Sequence, residues 1–276
     1  MSFRMIAAVS FVALAMSLSQ SKDATVSPPA LTVDQIVSRN IEARGGLQAW
    51  RAVQTLSLSG KLDAGGNQPP GAASKMKTEH GDVAVNQRPA EQVQLPFRLE
   101  LARGRKSRLE IDFHGQTAVQ VYDGTQGWKL RPYLNRHDVE PYTAEEISAA
   151  AKQADLDGPL VDYAAKGTKI ELDGTEKVEG QDCYRLKLTL KNGQTERVWI
   201  SAQTFLETKI DGTPRRLDAK YHNVEIYYRD YRKVDGLMIP FLTESKVQGV
   251  KQTEKIVVDK AVVNPKFSPD QFAKPK

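Results

Sequence analysis

Residues 97–130 hold four short runs, Phe97-Arg98-Leu99-Glu100-Leu101, Leu109-Glu110-Ile111-Asp112-Phe113, Val119-Gln120-Val121 and Trp128-Lys129-Leu130, in which apolar and polar side chains alternate. A period of two places successive side chains on opposite faces of an extended chain, so each run reads as a strand with one apolar face. Arg103-Gly104, His114-Gly115 and Asp123-Gly124 fall between the runs. Turn residues at that spacing mark an antiparallel meander.

Outward from this stretch the same pattern returns. Strands are expected at Thr55 to Lys61, Thr168 to Leu172, Cys183 to Leu190, Arg197 to Ser201, Phe205 to Ile210, Val224 to Arg232, Leu237 to Val247 and Thr253 to Val263. Lys191-Asn192-Gly193 and Asp235-Gly236 supply tight turns among them. Helices are few. Thr32 and Gln35 form a capping box ahead of Val33, Ile36, Val37 and Ile41 at helical spacing, and Gly45-Gly46 ends that helix. Leu47, Trp50 and Val53 carry its apolar surface towards the first strand. A second helix opens at Thr143 with Glu146 three residues on, and its apolar stripe is Ile147, Ala150, Ala151 and Ala154. Between Asp63 and Gln94 the chain is rich in breakers and shows no sustained period, which predicts a mobile insertion between two strands.

An apolar sheet face must be covered or closed on itself. With two or three helices against about eleven strands, the expected fold is mainly β: a strongly curved antiparallel sheet forming a half-open barrel whose cavity the helices cover. Residues 31–276 then make a single domain. The N-terminus has a different character. Arg4, the apolar run Met5 to Leu18 and the small or polar residues to Ser21 have the three parts of a cleaved export signal, which predicts removal of residues 1–21. The run is shorter than the ~20 apolar residues a spanning helix needs. The single cysteine, Cys183, can close no intramolecular disulfide and stands far from any lipidation position. Stability must come from a core, and a soluble protein outside the cytoplasm is expected.

Chemistry is harder to find than structure. The formal net charge is +5, but the basic residues are dispersed and no aromatic-interleaved basic motif of a nucleic-acid binder occurs. No His-Glu-x-x-His, no Gly-x-Ser-x-Gly, no phosphate loop and no Cys-x-x-Cys is present. His80, His114, His137 and His222 stand apart in polar or turn-like surroundings. Cys183 lies in a strand without an evident base, and Asp155 and Asp157 beside Gly158 read as the turn that ends a helix rather than a metal loop. No cofactor or metal is implied. What remains is apolar surface on alternating strand positions. Leu99, Leu101, Leu109, Ile111, Phe113, Val119, Val121, Trp128, Leu186, Leu188, Val198 and Ile200 are the expected inward residues, and they can either line a ligand cavity or fill a core. The stripe Ile147, Ala150, Ala151 and Ala154 would then be a lid.

Several longer motifs point the same way. They are Ile41-Glu42-Ala43-Arg44-Gly45-Gly46-Leu47-Gln48-Ala49-Trp50, Tyr122-Asp123-Gly124-Thr125-Gln126-Gly127-Trp128, Trp199-Ile200-Ser201-Ala202-Gln203-Thr204-Phe205-Leu206, the hairpin Asp230 to Pro240 and the end Val263-Asn264-Pro265-Lys266-Phe267. Together and in this order they resemble the outer-membrane lipoprotein-sorting protein family, the LolA-like periplasmic carriers, over nearly all of the chain beyond the signal. The resemblance implies a half-open β-barrel with helices as a lid, and a cavity sheltering acyl chains of lipoproteins or other lipids. It implies binding rather than catalysis, action as a monomer, and exchange with an inner-membrane transporter and an outer-membrane acceptor. Relatives resembling RseB keep a lipid or lipoprotein sensor in view, and a hydrolase of the envelope is the alternative from another class.

Overall fold

A computed structural model describes residues 31–65, 75–78, 81–84, 91–132, 135–217 and 219–276. From Thr32 onward the chain forms one compact unit. Helix α1 (Val33–Ala43) opens on the expected capping box: Thr32 Oγ1 accepts from the Gln35 N–H, and the Gln35 side chain accepts from the Thr32 N–H. Two glycines with positive φ, Gly45 and Gly46, end it. Gly45 cannot be replaced cheaply, since a Cβ there would meet the Gly236 carbonyl oxygen.

The residues after the glycines are not a lead-in to a strand. Leu47–Ala52 is a second short helix, α2, with Trp50 buried beneath it. Six residues are too few to show a helical period in sequence. The chain then enters β1 (Thr55–Ala64).

Strands β4 (Val93–Ala102), β5 (Lys106–Phe113), β6 (Gln116–Tyr122), β7 (Gly127–Arg131) and β8 (Arg136–Pro141) follow as a meander. Edge strand β8 escapes the sequence pattern because Arg-His-Asp-Val-Glu-Pro has no apolar face to alternate. The capping box at Thr143 and Glu146 opens α3 (Ala144–Gln153) as expected. Beyond it run β9 (Lys169–Val178), β10 (Gln181–Thr189), β11 (Thr195–Ser201), β12 (Glu207–Asp211), β15 (Val224–Val234), β16 (Leu237–Val247) and β17 (Glu254–Val263). These strands, with β1, build one open antiparallel sheet of thirteen, ordered β8-β7-β6-β5-β4-β1-β17-β16-β15-β12-β11-β10-β9. Strand β1 joins the two meanders: it pairs with β4 on one side and with the last strand, β17, on the other. Its bulge at Ser59/Gly60 brings the backbone of β17 so close that a Cβ on Gly60 would collide with the Val257 carbonyl.

Two small hairpins stand apart from this sheet. One pairs β13 (Arg215–Leu217) with β14 (Lys220–His222). The other pairs β2 (Lys75–Thr78) with β3 (Gly81–Ala84) inside the segment expected to be a mobile insertion. Apart from this hairpin and the ends of β1 and β4, most of that insertion, residues 66–74, 79–80 and 85–90, lies outside the described residues, as do residues 1–30, where the export signal is expected.

Directly paired residues share a face, which divides the sheet's side chains into two sets. Leu58, Leu99 and Leu109 lie in one row, and Gly60, Phe97 and Ile111 in the next. This face, here the helix face, continues through Leu62, Ile256, Thr243 and Tyr228, and then through Ser245, Ile226, Ile210, Val198 and Leu186. Trp50 of α2 and Leu156 pack on it, and α3 reaches it through Lys129 and Glu196. The main core sits there, built from Trp50, Val53, Leu56, Phe97, Leu101, Leu156, Leu237, Ile239, Phe241 and Val258. The opposite face, here the tail face, carries Glu100, Arg108, Val121 and Trp128 in one row. The C-terminal segment reaches this row: Arg108 Nη1 donates to the Gln271 carbonyl at 3.4 Å, and Gln271 Nε2 donates to Glu100.

Candidate functional site

The register divides the twelve expected inward residues. Leu99, Leu101, Leu109, Ile111, Phe113, Leu186, Leu188, Val198 and Ile200 share the helix face, while Val119, Val121 and Trp128 point to the tail face. The cause is the tight turn His114-Gly115. It pairs Phe113 with Gln116, so Ile111 stands opposite Ala118, and Val119 stands opposite Glu110. Strand β6 buries Ala118, Val119, Val121 and Tyr122 alike, so its sequence offers two apolar parities and does not say which faces the helices.

Burial divides the nine remaining residues again. Leu186, Leu188, Val198 and Ile200 have no exposed surface at all and are packed core. Phe97 and Leu101 are buried, but Leu99, Leu109, Ile111 and Phe113 are only half-buried, as are Leu58 and Leu62 on β1. The helix face is therefore sealed over β10 and β11 and incompletely covered over β1, β4 and β5. Leu58 and Leu62 belong to this open strip although sequence reasoning did not select them. The alternation Leu56-Ser57-Leu58-Ser59-Gly60-Lys61-Leu62 was the available signal.

Helix α3 roofs the edge of this strip with little hydrophobic contact of its own. None of its residues is buried; Ile147, Ala150 and Ala151 are half-buried, and only Ala154, at its C-cap, is enclosed. What ties it is polar. Lys129 Nζ on β7 meets Glu146 at 2.5 Å, and Lys152 pairs with Glu196 on β11. Before α3, the Tyr142 ring lies where a side chain on Gly127 would have to go, so glycine is required there. Burial, with the nearby Glu146 charge, pushes the Tyr142 phenol up to about 12. Burial also pushes the Glu146 carboxyl up, but the Lys129 hydrogen bond, the Thr143 N–H and the charges of Lys129 and Arg131 outweigh it and hold the carboxyl below its ordinary value.

The turn after α3 is clamped by two arginines. Arg103 makes a two-pronged pair with Asp157 at 2.5 and 2.8 Å, and donates to the Trp50 and Val53 carbonyls. Arg44, buried, donates to the Asp157 carbonyl at 2.8 Å, pairs with Glu207 at 3.4 Å and lies over the Trp50 ring. Asp155 is taken by Lys166 at 2.7 Å. Asp155 and Asp157 are thus ion-pair partners in a turn, and among the described residues no group of three His, Cys, Asp or Glu side chains could hold a metal.

The remaining candidates stand apart from the strip. Cys183 is buried on the tail face beside Val178, Trp199 and Tyr227. His114 and His137 are exposed, His222 meets the Gln248 carbonyl at 2.9 Å, and His80 lies outside the described residues. Two surface grooves of about 390 and 380 Å³ flank α1, lined by Val37, Ile41, Leu47 and Tyr163, away from the half-buried strip. Among the described residues no helix is long and apolar enough to cross a membrane.

Known structures share this arrangement. A LolA superfamily protein from Nitrosomonas europaea superposes with a TM-score of 0.54 at 12% identity, covering 89% of this chain and 99% of its own. The chain has a LolA-like fold. A DUF1329 family protein from Desulfovibrio piger gives 0.54 at 14% identity, covering 88% of this chain and 98% of its own. A putative outer-membrane lipoprotein-sorting protein domain from Vibrio parahaemolyticus gives 0.53 at 12%, covering 87% and 95%. No protein-family model and no curated protein sequence matches the chain. At such identities the likeness lies in the fold.

Proposed function

We propose that this protein is a periplasmic carrier that shelters acyl chains of lipoproteins or other lipids on the helix face of its sheet, without catalysis. The observation that carries the reading is the half-buried strip Leu58, Leu62, Leu99, Leu109 and Ile111, apolar residues packed at the rim of the main core and only partly covered, beside a helix that is held mainly by ion pairs. Apolar burial is non-directional, which suits cargo with hydrocarbon chains.

A half-open barrel is supported by the span of α3. Its two ion pairs reach β7 and β11, which are nine strand-to-strand steps apart in the sheet. In a flat sheet nine steps amount to roughly 43 Å. Glu146 and Lys152 are separated by only about 9 Å along the helix axis. Long side chains make up part of the difference, and a sheet curled around its helix face makes up the rest. In this reading the protein is exported by residues 1–21, acts as a monomer, receives cargo from an inner-membrane transporter and passes it to an outer-membrane acceptor.

Native mass spectrometry of protein taken from its own periplasm is expected to find co-purified lipid. The purified protein should also bind a fluorescent acyl probe, and Leu109→Trp should weaken that binding. Absence of both lipid and probe binding would leave the half-buried strip as a surface without cargo and would defeat the proposal.

A further inference from the structure

Beyond its apolar strip, the helix face changes character within two strands. The row Leu58, Leu99, Leu109 continues through Gln120 to Lys129, and Arg131, two residues along β7 from Lys129, has the same parity. Arg136 stands directly opposite Arg131 on edge strand β8. Two strand spacings, about 10 Å, thus separate Leu109 from Lys129.

The cations at this end are incompletely matched. Like charges directly opposite one another destabilise a sheet. Arg131 and Arg136 nevertheless face each other and share one carboxylate, Glu140, at 2.7 and 3.4 Å. The Arg131 Nε donor is buried and has no hydrogen-bond partner. Lys129, with a side chain 12% exposed, takes its carboxylate, Glu146, from α3 rather than from the sheet. Asp138, of the same parity as Arg136 and Glu140 on β8, is exposed. The sheet therefore presents three cations against two carboxylates, and α3 supplies the balance only while it is docked.

We infer that this cationic end is a headgroup site, and that the cargo is an anionic amphiphile whose phosphate displaces Glu146 from Lys129 and accepts from Arg131 while its acyl chain lies along Leu109, Leu99 and Leu58. The inference rests on reading the helix face as an acyl-binding surface and adds the chemistry of the head. A phosphate offers several acceptor oxygens at once, which suits an ammonium beside a guanidinium with an unused donor. From Lys129 to Leu58 is four strand spacings, roughly 19 Å, so one extended chain can follow the row.

Calorimetry on the full mature chain tests this with three ligands: monomeric dodecyl phosphate, the uncharged dodecyl maltoside and inorganic phosphate. Dodecyl phosphate is expected to bind about ten-fold more tightly than the maltoside, the worth of one charge-assisted hydrogen bond. Lys129→Gln and Arg131→Gln should each abolish that preference, read as the ratio of dodecyl phosphate to maltoside affinity. Glu146→Gln, which removes the competing carboxylate and no sheet residue, should strengthen dodecyl phosphate binding; it keeps the test decisive even if Arg131→Gln does not fold. Equal binding of the two amphiphiles would overturn the headgroup site and leave the acyl surface standing. Inorganic phosphate binding as tightly as dodecyl phosphate would also overturn the inference, by making this a site for the free ion. Failure of both amphiphiles to bind would remove the acyl surface and this inference with it.

Discussion

Position within one face of one sheet decides what a leucine does here. Leu188 and Leu109 are both apolar strand residues on the helix face, yet Leu188 has no exposed surface and Leu109 is half-buried. Enlarging a side chain in a close-packed site forces neighbours off their rotamers and costs about 1–3 kcal/mol. Leu188→Trp should therefore lower the urea midpoint by that order. Leu109→Trp should leave the midpoint nearly unchanged while reducing acyl-probe binding. Equal drops for the two variants would mean that both positions belong to a filled core. Sequence alone could not rank these two leucines, because both satisfy the same alternation and only the position of the helices above them differs.

Among the elements, α3 and the C-terminal segment are set to behave in opposite ways. Helix α3 docks through Glu146–Lys129 and Lys152–Glu196 with no buried residue of its own. The Glu146 carboxyl is held below its ordinary value of 4.5 in the folded protein. A lowered carboxyl contributes to docking above that ordinary value, and the contribution disappears as pH falls through the folded value. Amide exchange of residues 144–153 should accordingly quicken below the ordinary carboxylate range, and also on adding lipid at neutral pH. Protection indifferent to both would show a helix that does not act as a lid.

The C-terminal segment lies on the other face. Truncation after Lys266 removes Gln271 and its bonds to Glu100 and Arg108, along with the edge-to-face pair Phe267–Phe272. It should destabilise the protein by about 1–3 kcal/mol in urea, since it leaves the buried Glu100 carboxylate without its Gln271 donor, while Arg108 keeps its pair with Glu110. Probe binding should stay intact, and a loss of binding would place the ligand surface on the tail face instead. The helix starts were legible because capping boxes are local, residue-to-residue signals. Strand β8 and the hairpin β13-β14 were not, because exposed pairs carry no apolar pattern.

At the scale of the whole molecule, the expected life of the protein begins with export. The apolar run Met5 to Leu18 behind Arg4 predicts a mature chain starting between about Ser19 and Ala24, released by osmotic shock without detergent. N-terminal sequencing of the periplasmic fraction decides this: an intact Met1, or a lipidated end, would contradict it.

The local layer of this architecture was already present in the order of residues. Period-two runs separated by turn glycines specify antiparallel strands, two capping boxes specify where helices begin, and the scarcity of helices specifies a mainly β chain. Those features are determined by neighbours a few residues apart, and the tertiary structure keeps them. Which face of β6 meets the helices, which leucines are sealed and which are left half-covered, and that Lys129 and Arg131 end an apolar row were decided only by the fold. Each depends on strand register and on elements far away in sequence: the His114-Gly115 turn shifts parity by one residue, β17 completes the sheet beside β1, and α3 ties β7 to β11. Alternation says that a strand has two faces, but only pairing and packing say what each face meets.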